Sequence, residues 1–246
     1  MSDRAFVGID LAWGIRARTG LAVVDSTGSL IDSASVRSDE DIDEWLGRTA
    51  LAPVVVAIDA PLVVANEAGQ RPCERMVSVQ FGRFGASCHT SNLGRPWFNP
   101  PRGATLADRH GWDMDAARLG SEQRPVAIEV YPHPAMVALF ALDRVIPYKG
   151  KAGRSVDFRR SAFRDLIGHM NELRPLELGA SDRWGFLGSA VDHASRQVDL
   201  DRIEDEIDAI FCAHLAWLWH HDRDSMQVLG DRATGSIVTP VLHEPR

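Results

Sequence analysis

The stretch "PVVVAIDAP", residues 53–61, constrains the fold of this chain more than any other feature. It is a continuous run of β-branched and small apolar residues, without alternation between apolar and polar positions up to its aspartate. A strand with one solvated face alternates, whereas a strand that is buried on both faces is continuously apolar. The run therefore favours an α/β fold, in which helices cover both faces of a sheet that contains parallel strands.

Further strands are predicted on either side of this run. Three of them precede it, at residues 5–10, 19–25 and 29–36. A helix follows in "SDEDIDEWLGRT", where Ser38 is a suitable N-cap and acidic residues fill the first turn. Downstream, "PVAIEVYPHP" (125–134) contains another predicted buried strand, which ends at Glu129. This order predicts a mixed central sheet, with antiparallel hairpin strands first and parallel strands after them.

The remaining helices are predicted in the second half of the chain. One begins near Pro134, one covers residues 155–175, and the clearest covers residues 201–221. In that last helix Asp201 is the predicted N-cap, with Glu204 three residues later. The apolar stretch "GSIVTPVL" is predicted to form a terminal strand or an extended tail.

Residues 64–124 differ from the rest in composition. They are rich in Gly, Pro, Arg and Asn, and they contain no long periodic segment after about residue 84. Loops of this length are uncommon in compact domains and are usually functional. We therefore predict a single domain over residues 1–246, with residues 64–124 as an insertion that lies across one end of the sheet.

Composition excludes several classes of protein. A net charge of −7 argues against a general nucleic-acid coat protein, so that a polyanion would need a local basic patch. The three cysteines show no CxxC spacing, which favours a reducing cytoplasm. The N-terminus lacks the apolar core of a signal peptide, and no apolar stretch reaches membrane-spanning length. A protein without a membrane partner is expected.

Acidic residues recur where the apolar segments end. Asp10, Asp59 and Glu129 each lie at the carboxyl end of a predicted strand. Asp205 and Asp208 are three residues apart and share one face of the last helix, just before a nearly continuous apolar run. Because ligands bind outside the carboxyl ends of parallel strands, these acids are expected to converge at one edge of the sheet.

A cluster of buried carboxylates requires a compensating cation. A single Asp after a strand is most often a turn or cap residue. Several such acids on buried strands and a buried helix are improbable without a function, because each buried charge is costly. Oxygen-only ligands favour Mg²⁺ or Mn²⁺, and two such ions, about 3.5–4 Å apart, serve phosphoryl chemistry. The predicted catalytic residues and metal ligands are Asp10, Asp59, Glu129 and Asp208, with Asp205 in a supporting role.

Basic residues that could contact a phosphodiester cluster between residues 149 and 164. The predicted substrate-binding residues are Lys149, Lys151, Arg154, Arg159 and Arg160. A solvated helix face is the alternative interpretation of the same charge run. In the insertion, arginines alternate with aromatic residues that either stack on bases or fix the loop to the surface, namely Phe84, Trp97 and Phe98.

His133 follows Glu129 by four residues, across a junction between a strand and a turn. It is a candidate supporting residue that shuttles a proton or contacts an anion, because the imidazole pKa lies near neutral pH. A structural histidine with satisfied hydrogen bonds is an equally good interpretation.

A set of motifs also carries a resemblance to a known family. The motifs are "GIDLAWG", "AIDAPL", "RPCER", "CHTSNLGRP", "EVYPHP", "YKGKAGR" and "EDEIDAIFCAHLA". Together they resemble the family known as domain of unknown function 429, described as predicted RNase H-like nucleases. The order of elements also resembles the RNase H-like (retroviral integrase) superfamily, and within it the resolvase-type nucleases. The motifs extend from the first strand to the last helix and so cover most of the chain.

The resemblance implies an RNase H-like fold, a two-metal acidic site and nuclease activity on nucleic acid or a nucleotide. Asp10 matches the aspartate of the first strand, Asp59 the acid of the fourth strand, and Asp205 and Asp208 the pair on the final helix. The resolvase-type enzymes usually have Glu at the position of Asp59, and Glu129 has no firm counterpart in them.

Two other functions are compatible with these residues. One is a phosphotransferase related to actin-like kinases, although that architecture normally duplicates the domain and no second "GID…TG" unit is present. The other is a non-catalytic module that keeps the fold and binds nucleotide or nucleic acid. A metal-dependent phosphodiesterase is the function that the sequence favours.

Overall fold

A computed structural model describes residues 4–14, 17–49 and 52–242 of the chain. Its centre is a five-stranded sheet with the strand order β3-β2-β1-β4-β5. The strands are β1 (Ala5–Asp10), β2 (Thr19–Asp25), β3 (Leu30–Val36), β4 (Pro53–Ile58) and β5 (Val126–Glu129). β1 to β3 pair antiparallel, whereas β4 is parallel to both β1 and β5. The predicted α/β class with a mixed sheet is confirmed, and the arrangement is consistent with an RNase H-like fold.

The strand register brings the carboxyl ends of β1, β4 and β5 together. Ile9 pairs with Ile58, and Ile58 in turn pairs with Glu129. The backbone N–H of Asp59 donates to the carbonyl of Ile9 at 2.8 Å, which continues the ladder one residue beyond β4. Asp10 and Asp59 therefore lie side by side along one edge of the sheet.

Seven α-helices surround the sheet in the described ranges. They are α1 (Asp39–Arg48), α2 (Pro72–Phe81), α3 (Arg102–His110), α4 (Pro132–Leu139), α5 (Val156–Glu172), α6 (Asp182–His193) and α7 (Gln197–His221). Side chains on β1 alternate between the two faces, as the period of a strand requires. Phe6 packs in the core that contains α7, whereas Ile9 packs on the other face with Ile42 and Trp45 of α1. Both faces are covered, in agreement with the continuous apolar run of β4.

Two glycines allow α7 to lie unusually close to the sheet. A Cβ atom on Gly8 would lie 2.0 Å from the carbonyl oxygen of Ala209, and one on Gly20 would lie 1.8 Å from that of Asp205. Any larger residue at either position would force the helix away, since real Cβ atoms do not approach backbone atoms so closely. This contact brings the acidic face of α7 next to the carboxyl end of β1.

Several boundaries differ from the sequence predictions. α7 begins at Gln197, with a capping box between Arg196 and Asp199, so the predicted N-cap Asp201 already lies inside the helix. α4 begins at Pro132, two residues before Pro134, because a proline is tolerated in the first helical turn. The antiparallel pair β6 (Met226–Asp231) and β7 (Gly235–Pro240) forms a second small sheet, and only β7 was predicted.

The segment 64–124 is more ordered than its composition suggests. It contains α2 and α3, and α3 ends at Gly111, which adopts a left-handed backbone conformation. Arg102 ties α3 to the β1–β2 connection, since its Nη1 donates to the carbonyl of Ala12 at 2.8 Å and its guanidinium pairs with Asp39 at 2.6 Å. The segment lies across the end of the sheet where Asp10 and Asp59 are located.

None of the described helices combines the length and the hydropathy that a membrane-spanning helix requires.

Candidate active site

Five carboxylates, from the ends of β1 and β4 and from α7, gather around one lysine. The Nζ atom of Lys149 lies 3.6 Å from Oδ2 of Asp10, 3.4 Å from Oε1 of Glu204 and 2.5 Å from Oδ2 of Asp208. Asp59 and Asp205 belong to the same electrostatic group, since both repel Asp10 and both are attracted to Lys149. We refer to Asp10, Asp59, Glu204, Asp205 and Asp208 as the carboxylate cluster.

Burial makes this cluster costly without a cation. Asp208 is completely buried. The hydroxyl of Tyr148 donates a hydrogen bond to Oδ1 of Asp208, with 2.7 Å between the two oxygens. Oδ2 of Asp208 and Oδ2 of Asp10 accept no directed hydrogen bond from the described residues, although Lys149 is close to both. Isolated buried carboxylates are destabilising by several kcal/mol, so these oxygens need a positive charge in front of them.

The pKa values of the cluster reflect both burial, which disfavours charge, and the attraction between the carboxylates and Lys149. Burial raises the pKa of Asp10 well above its ordinary value, and repulsion from Asp59 and Asp208 adds to the effect against the attraction of Lys149. Burial likewise raises the pKa of Asp59 and that of Asp205 to about 7 each. Burial alone would lower the pKa of Lys149, but Asp208 and Asp10 raise it well above its ordinary value. Lys149 is therefore a permanent cation within the cluster.

The donor atoms of the carboxylate cluster determine which metal ion it could hold. In the described part of the chain, no group of three or more His, Cys, Asp or Glu residues has its donor atoms arranged as a ready metal site. The donor set is nevertheless all oxygen, and two of its buried oxygens lack hydrogen bonds. Such donors suit Mg²⁺ or Mn²⁺. Asp10, Asp59 and Asp208 are the residues that would hold an ion, provided that the Lys149 ammonium moves out of the way.

Glu129 lies at the same edge but is engaged elsewhere. Its Oε1 accepts from Nη2 of Arg71 at 2.5 Å, and its Oε2 accepts from Nη1 of Arg71 at 2.9 Å and from the N–H of Leu62 at 3.0 Å. Arg71 also contacts Glu74 through Nε at 2.9 Å, and all three charged side chains are buried. The sequence analysis places Arg71 only among the arginines of the insertion and does not single out Glu74, although their spacing in "RPCER" matches one helical turn. The network makes Glu129 a structural partner of Arg71.

His133 faces the cavity next to the cluster. Its ring lies 5.7 Å from that of Tyr148 and 5.6 Å from that of Tyr131. Burial lowers the pKa of His133 to about 4, and the nearby Lys149 acts in the same direction. The imidazole is therefore neutral at neutral pH, which allows it to donate or accept one hydrogen bond but not to act as a resident cation.

The predicted basic patch divides into two groups. Arg159 is buried and pairs with Asp201 at 2.7 Å and with Glu204 at 2.8 Å. Arg160 pairs with Asp157 at 2.7 Å. The guanidinium group of Arg159 is thus engaged within the protein, so a phosphate-binding role does not suit it. Arg160 is partly exposed in a surface pair, and phosphate contact by Arg160 stays a prediction.

Lys151 and Arg154 instead line an open groove of about 960 Å³, whose wall also includes the carboxylates of Asp201, Glu204 and Asp205. The groove is also lined by cationic residues from other elements, namely Arg18, Arg37 and Arg202. Asp205 attracts Arg18 within this groove. We call this surface the basic groove.

The fold and the site together define an α/β protein with clustered carboxylates at the carboxyl edge of a mixed sheet. The sequence profile of the family described as "Protein of unknown function (DUF429)" matches residues 8–234, so the chain belongs to this family. The match covers the second half of β1, the other four strands of the central sheet and the whole of α7. Comparisons with curated proteins and with solved structures each found no significant match.

Proposed function

We propose that this protein is a divalent-metal-dependent phosphodiesterase that hydrolyses nucleic acid or a nucleotide. The observation that carries the proposal is the position of Lys149 Nζ, which contacts Asp10, Glu204 and Asp208 at once. Carboxylates from β1 and α7 thus converge on one position that already holds a cation. Mg²⁺ or Mn²⁺ at this position would offer the oxygens of Asp10 and Asp208 a higher charge than the ammonium does, while Glu204 stays paired with Arg159.

The proposed ligand set is smaller than the one predicted from sequence. It comprises Asp10, Asp59 and Asp208, with Asp205 in a supporting role. Glu129 is left out because Arg71 and Leu62 already use both of its oxygens. Tyr148 orients Asp208 through its hydrogen bond to Oδ1, so that Oδ2, which pairs with Lys149, is the oxygen that would bind the ion once the ammonium has moved.

The bound ions would supply activated water and stabilise the leaving oxygen of a phosphodiester. The chain's own residues would prepare that chemistry. Asp10, Asp59 and Asp208 hold the carboxylate oxygens in place on rigid elements, and Lys149 moves from the carboxylates toward a phosphate oxygen of the substrate. Its exposed fraction of 31% leaves room for that movement.

Nucleic acid as the substrate is supported by the basic groove. It combines Arg18, Lys151, Arg154 and Arg202 on the surface of a chain with a net charge of −7. Arg154 is held in place because its Nη1 donates to the carbonyl of Lys149 at 2.7 Å. A localised positive patch suits contact with a phosphate backbone, whereas the net charge of −7 argues against unspecific coating of duplexes.

A non-catalytic binding module is the second candidate, and Lys149 also favours it. A lysine that already offsets part of the cluster's negative charge helps the protein to stay folded without any metal. In that case the basic groove would bind a nucleotide or nucleic acid without cleavage.

Cytoplasmic location, inferred from the cysteine pattern, stays a prediction.

Calorimetric titration with Mn²⁺, followed by cleavage assays on labelled DNA, RNA and branched junctions, tests the proposal. Wild type is compared with Asp10→Asn and with Asp143→Asn, which changes an exposed acid outside the cluster. We expect saturable Mn²⁺ binding and cleavage in wild type and Asp143→Asn, and neither in Asp10→Asn. Metal binding without cleavage would favour the binding module, and the absence of metal binding would contradict both the ligand set and the enzyme.

A further inference from the structure

A cavity of about 430 Å³ opens directly beside the carboxylate cluster. Asp10, Asp59 and Lys149 form part of its wall, so a ligand inside it touches the groups that are proposed to bind the metal. The volume falls within the range of about 300–1,000 Å³ that is typical of small-molecule sites. It suits a single nucleotide and is too narrow for a duplex.

Two pairs of aromatic rings line this cavity. In one pair, the indole of Trp13 meets the ring of His89 edge to face, with centroids 5.6 Å apart. In the other pair, the ring of Tyr131 meets that of His133, also with centroids 5.6 Å apart. Trp13 keeps 40% of its surface exposed, although a large apolar side chain is normally buried. A flat ligand could therefore stack on its open face.

The exposed indole is held in a fixed position. Its ring packs edge to face on the buried Phe98 at 5.4 Å. The preceding residue, Ala12, accepts a hydrogen bond from Arg102 through its carbonyl oxygen at 2.8 Å. Such anchoring lowers the entropy that is lost when a ligand binds, which is what a built stacking platform requires.

The charges around the cavity determine how a nucleotide would lie in it. The cavity is lined by two permanently charged cations, Arg71 and Lys149. Arg71 is fully engaged with Glu74 and Glu129 and offers no free cation to a phosphate. A phosphate would therefore be directed toward Lys149 and the proposed metal ligands, which leaves the exposed indole of Trp13 to the base.

We propose that this cavity holds one unpaired nucleobase, stacked on Trp13, whose attached phosphate reaches the carboxylate cluster. This inference rests on the proposed function and narrows its substrate class. Bases inside a duplex are paired and stacked, so the substrate is a nucleotide, a single strand or a strand with an extruded base.

Binding measurements by calorimetry test the inference without reference to cleavage. The probes are adenosine and ribose without metal, and adenosine 5′-monophosphate and ribose 5-phosphate with saturating Mn²⁺. The proteins are wild type, Trp13→Ala, Trp13→Phe and the control Trp97→Ala, whose indole is 45% exposed but lies outside the cavity. Because Trp13 is exposed, its substitution should leave the fold intact, and circular dichroism checks this.

We expect wild type to bind each base-containing probe about tenfold more tightly than its base-free counterpart, as stacking on one aromatic side chain allows. Trp13→Ala should lose that preference, whereas Trp13→Phe and Trp97→Ala should keep it. Equal binding of adenosine 5′-monophosphate and ribose 5-phosphate, or an unchanged preference in Trp13→Ala, would overturn the inference.

The outcomes for the two proposals are separable. Preference for adenosine that depends on Trp13, in a protein that neither binds Mn²⁺ nor cleaves nucleic acid, would support the base cavity and overturn the proposed enzyme. Cleavage by a protein whose nucleotide binding does not depend on Trp13 would support the enzyme and overturn the base cavity.

Discussion

Lys149 and Asp208 form the closest contact in the carboxylate cluster, with 2.5 Å between Nζ and Oδ2. Asp208 is completely buried on α7, whereas Lys149 comes from the loop between α4 and α5 and stays partly exposed. An immobile anion is thus paired with a cation that is able to leave. The proposed metal chemistry depends on this difference.

Replacing the lysine should make the cluster bind metal more tightly. In Lys149→Met, no ammonium competes for the oxygens of Asp10 and Asp208, so we expect Mn²⁺ affinity to rise about tenfold, equivalent to about 1.4 kcal/mol. The metal-free variant should be less stable than wild type, because buried carboxylates lose their counter-charge. Thermal unfolding with and without Mn²⁺ measures both effects. The control is Lys151→Met, an exposed lysine outside the cluster, and an identical Mn²⁺ response in the two variants would contradict the account.

The buried pair of Arg71 and Glu129 should be essential for stability. Arg71→Met leaves Glu129 as an uncompensated buried charge, and we expect a loss of about 3–5 kcal/mol in the free energy of unfolding. Adding Glu129→Leu should recover part of it, because the stranded charge is then removed. Urea denaturation measures these values, with Arg164→Met as the control in an exposed pair worth less than about 1 kcal/mol. A cost in Arg71→Met no larger than in that control would contradict the structural role of the network.

His214 should control part of the pH dependence of stability. It is buried in α7, and burial lowers its pKa to about 4, from about 6.5 in the unfolded chain. The unfolded state therefore binds more protons between these values, so the stabilisation is complete above about pH 6.5 and is lost as the pH falls toward 4. Between pH 7 and pH 5 wild type should lose about 2 kcal/mol more than His214→Gln. Urea denaturation at both values measures the difference, and parallel pH profiles would contradict the prediction.

The close packing of α7 on β1 predicts a sharp response at Gly8. The Cβ of Gly8→Ala would clash with the carbonyl of Ala209, and we expect a loss of about 3 kcal/mol from the strain. Gly168→Ala is the matched control, since a Cβ atom there meets no atom within 4 Å. In the interior of α5, alanine is more stable than glycine by about 0.5–1 kcal/mol. Chemical denaturation of both variants checks the contrast. Equal effects would mean that α7 does not lie where the structure places it.

Much of this architecture is readable in the sequence because it follows from periodicity. The apolar run of β4 and the acids at the ends of strands are local patterns, and the strand order brings Asp10 and Asp59 together without further information. The closeness of Asp208 depends on Gly8 and Gly20, whose importance becomes visible only when α7 is packed on the sheet.

The charged partners could not be predicted in the same way. Lys149 and Arg159 belong to one basic run, yet Lys149 joins the carboxylate cluster and Arg159 is buried against Asp201. Long side chains reach partners that are distant in sequence, and their choice depends on tertiary packing. The start of α7 was missed for a related reason. Its N-cap is Arg196, which is not one of the usual cap residues, and Asp199 at the third helical position accepts a hydrogen bond from the backbone N–H of Arg196.

Anomalous diffraction from crystals grown with Mn²⁺ tests the central claim most directly. We expect an anomalous peak bounded by carboxylate oxygens of Asp10, Asp59 and Asp208, with the ammonium of Lys149 displaced from its contact with Asp208. Crystals that show Lys149 still paired with Asp208 and no peak in the carboxylate cluster, at Mn²⁺ concentrations that saturate binding in solution, would contradict it.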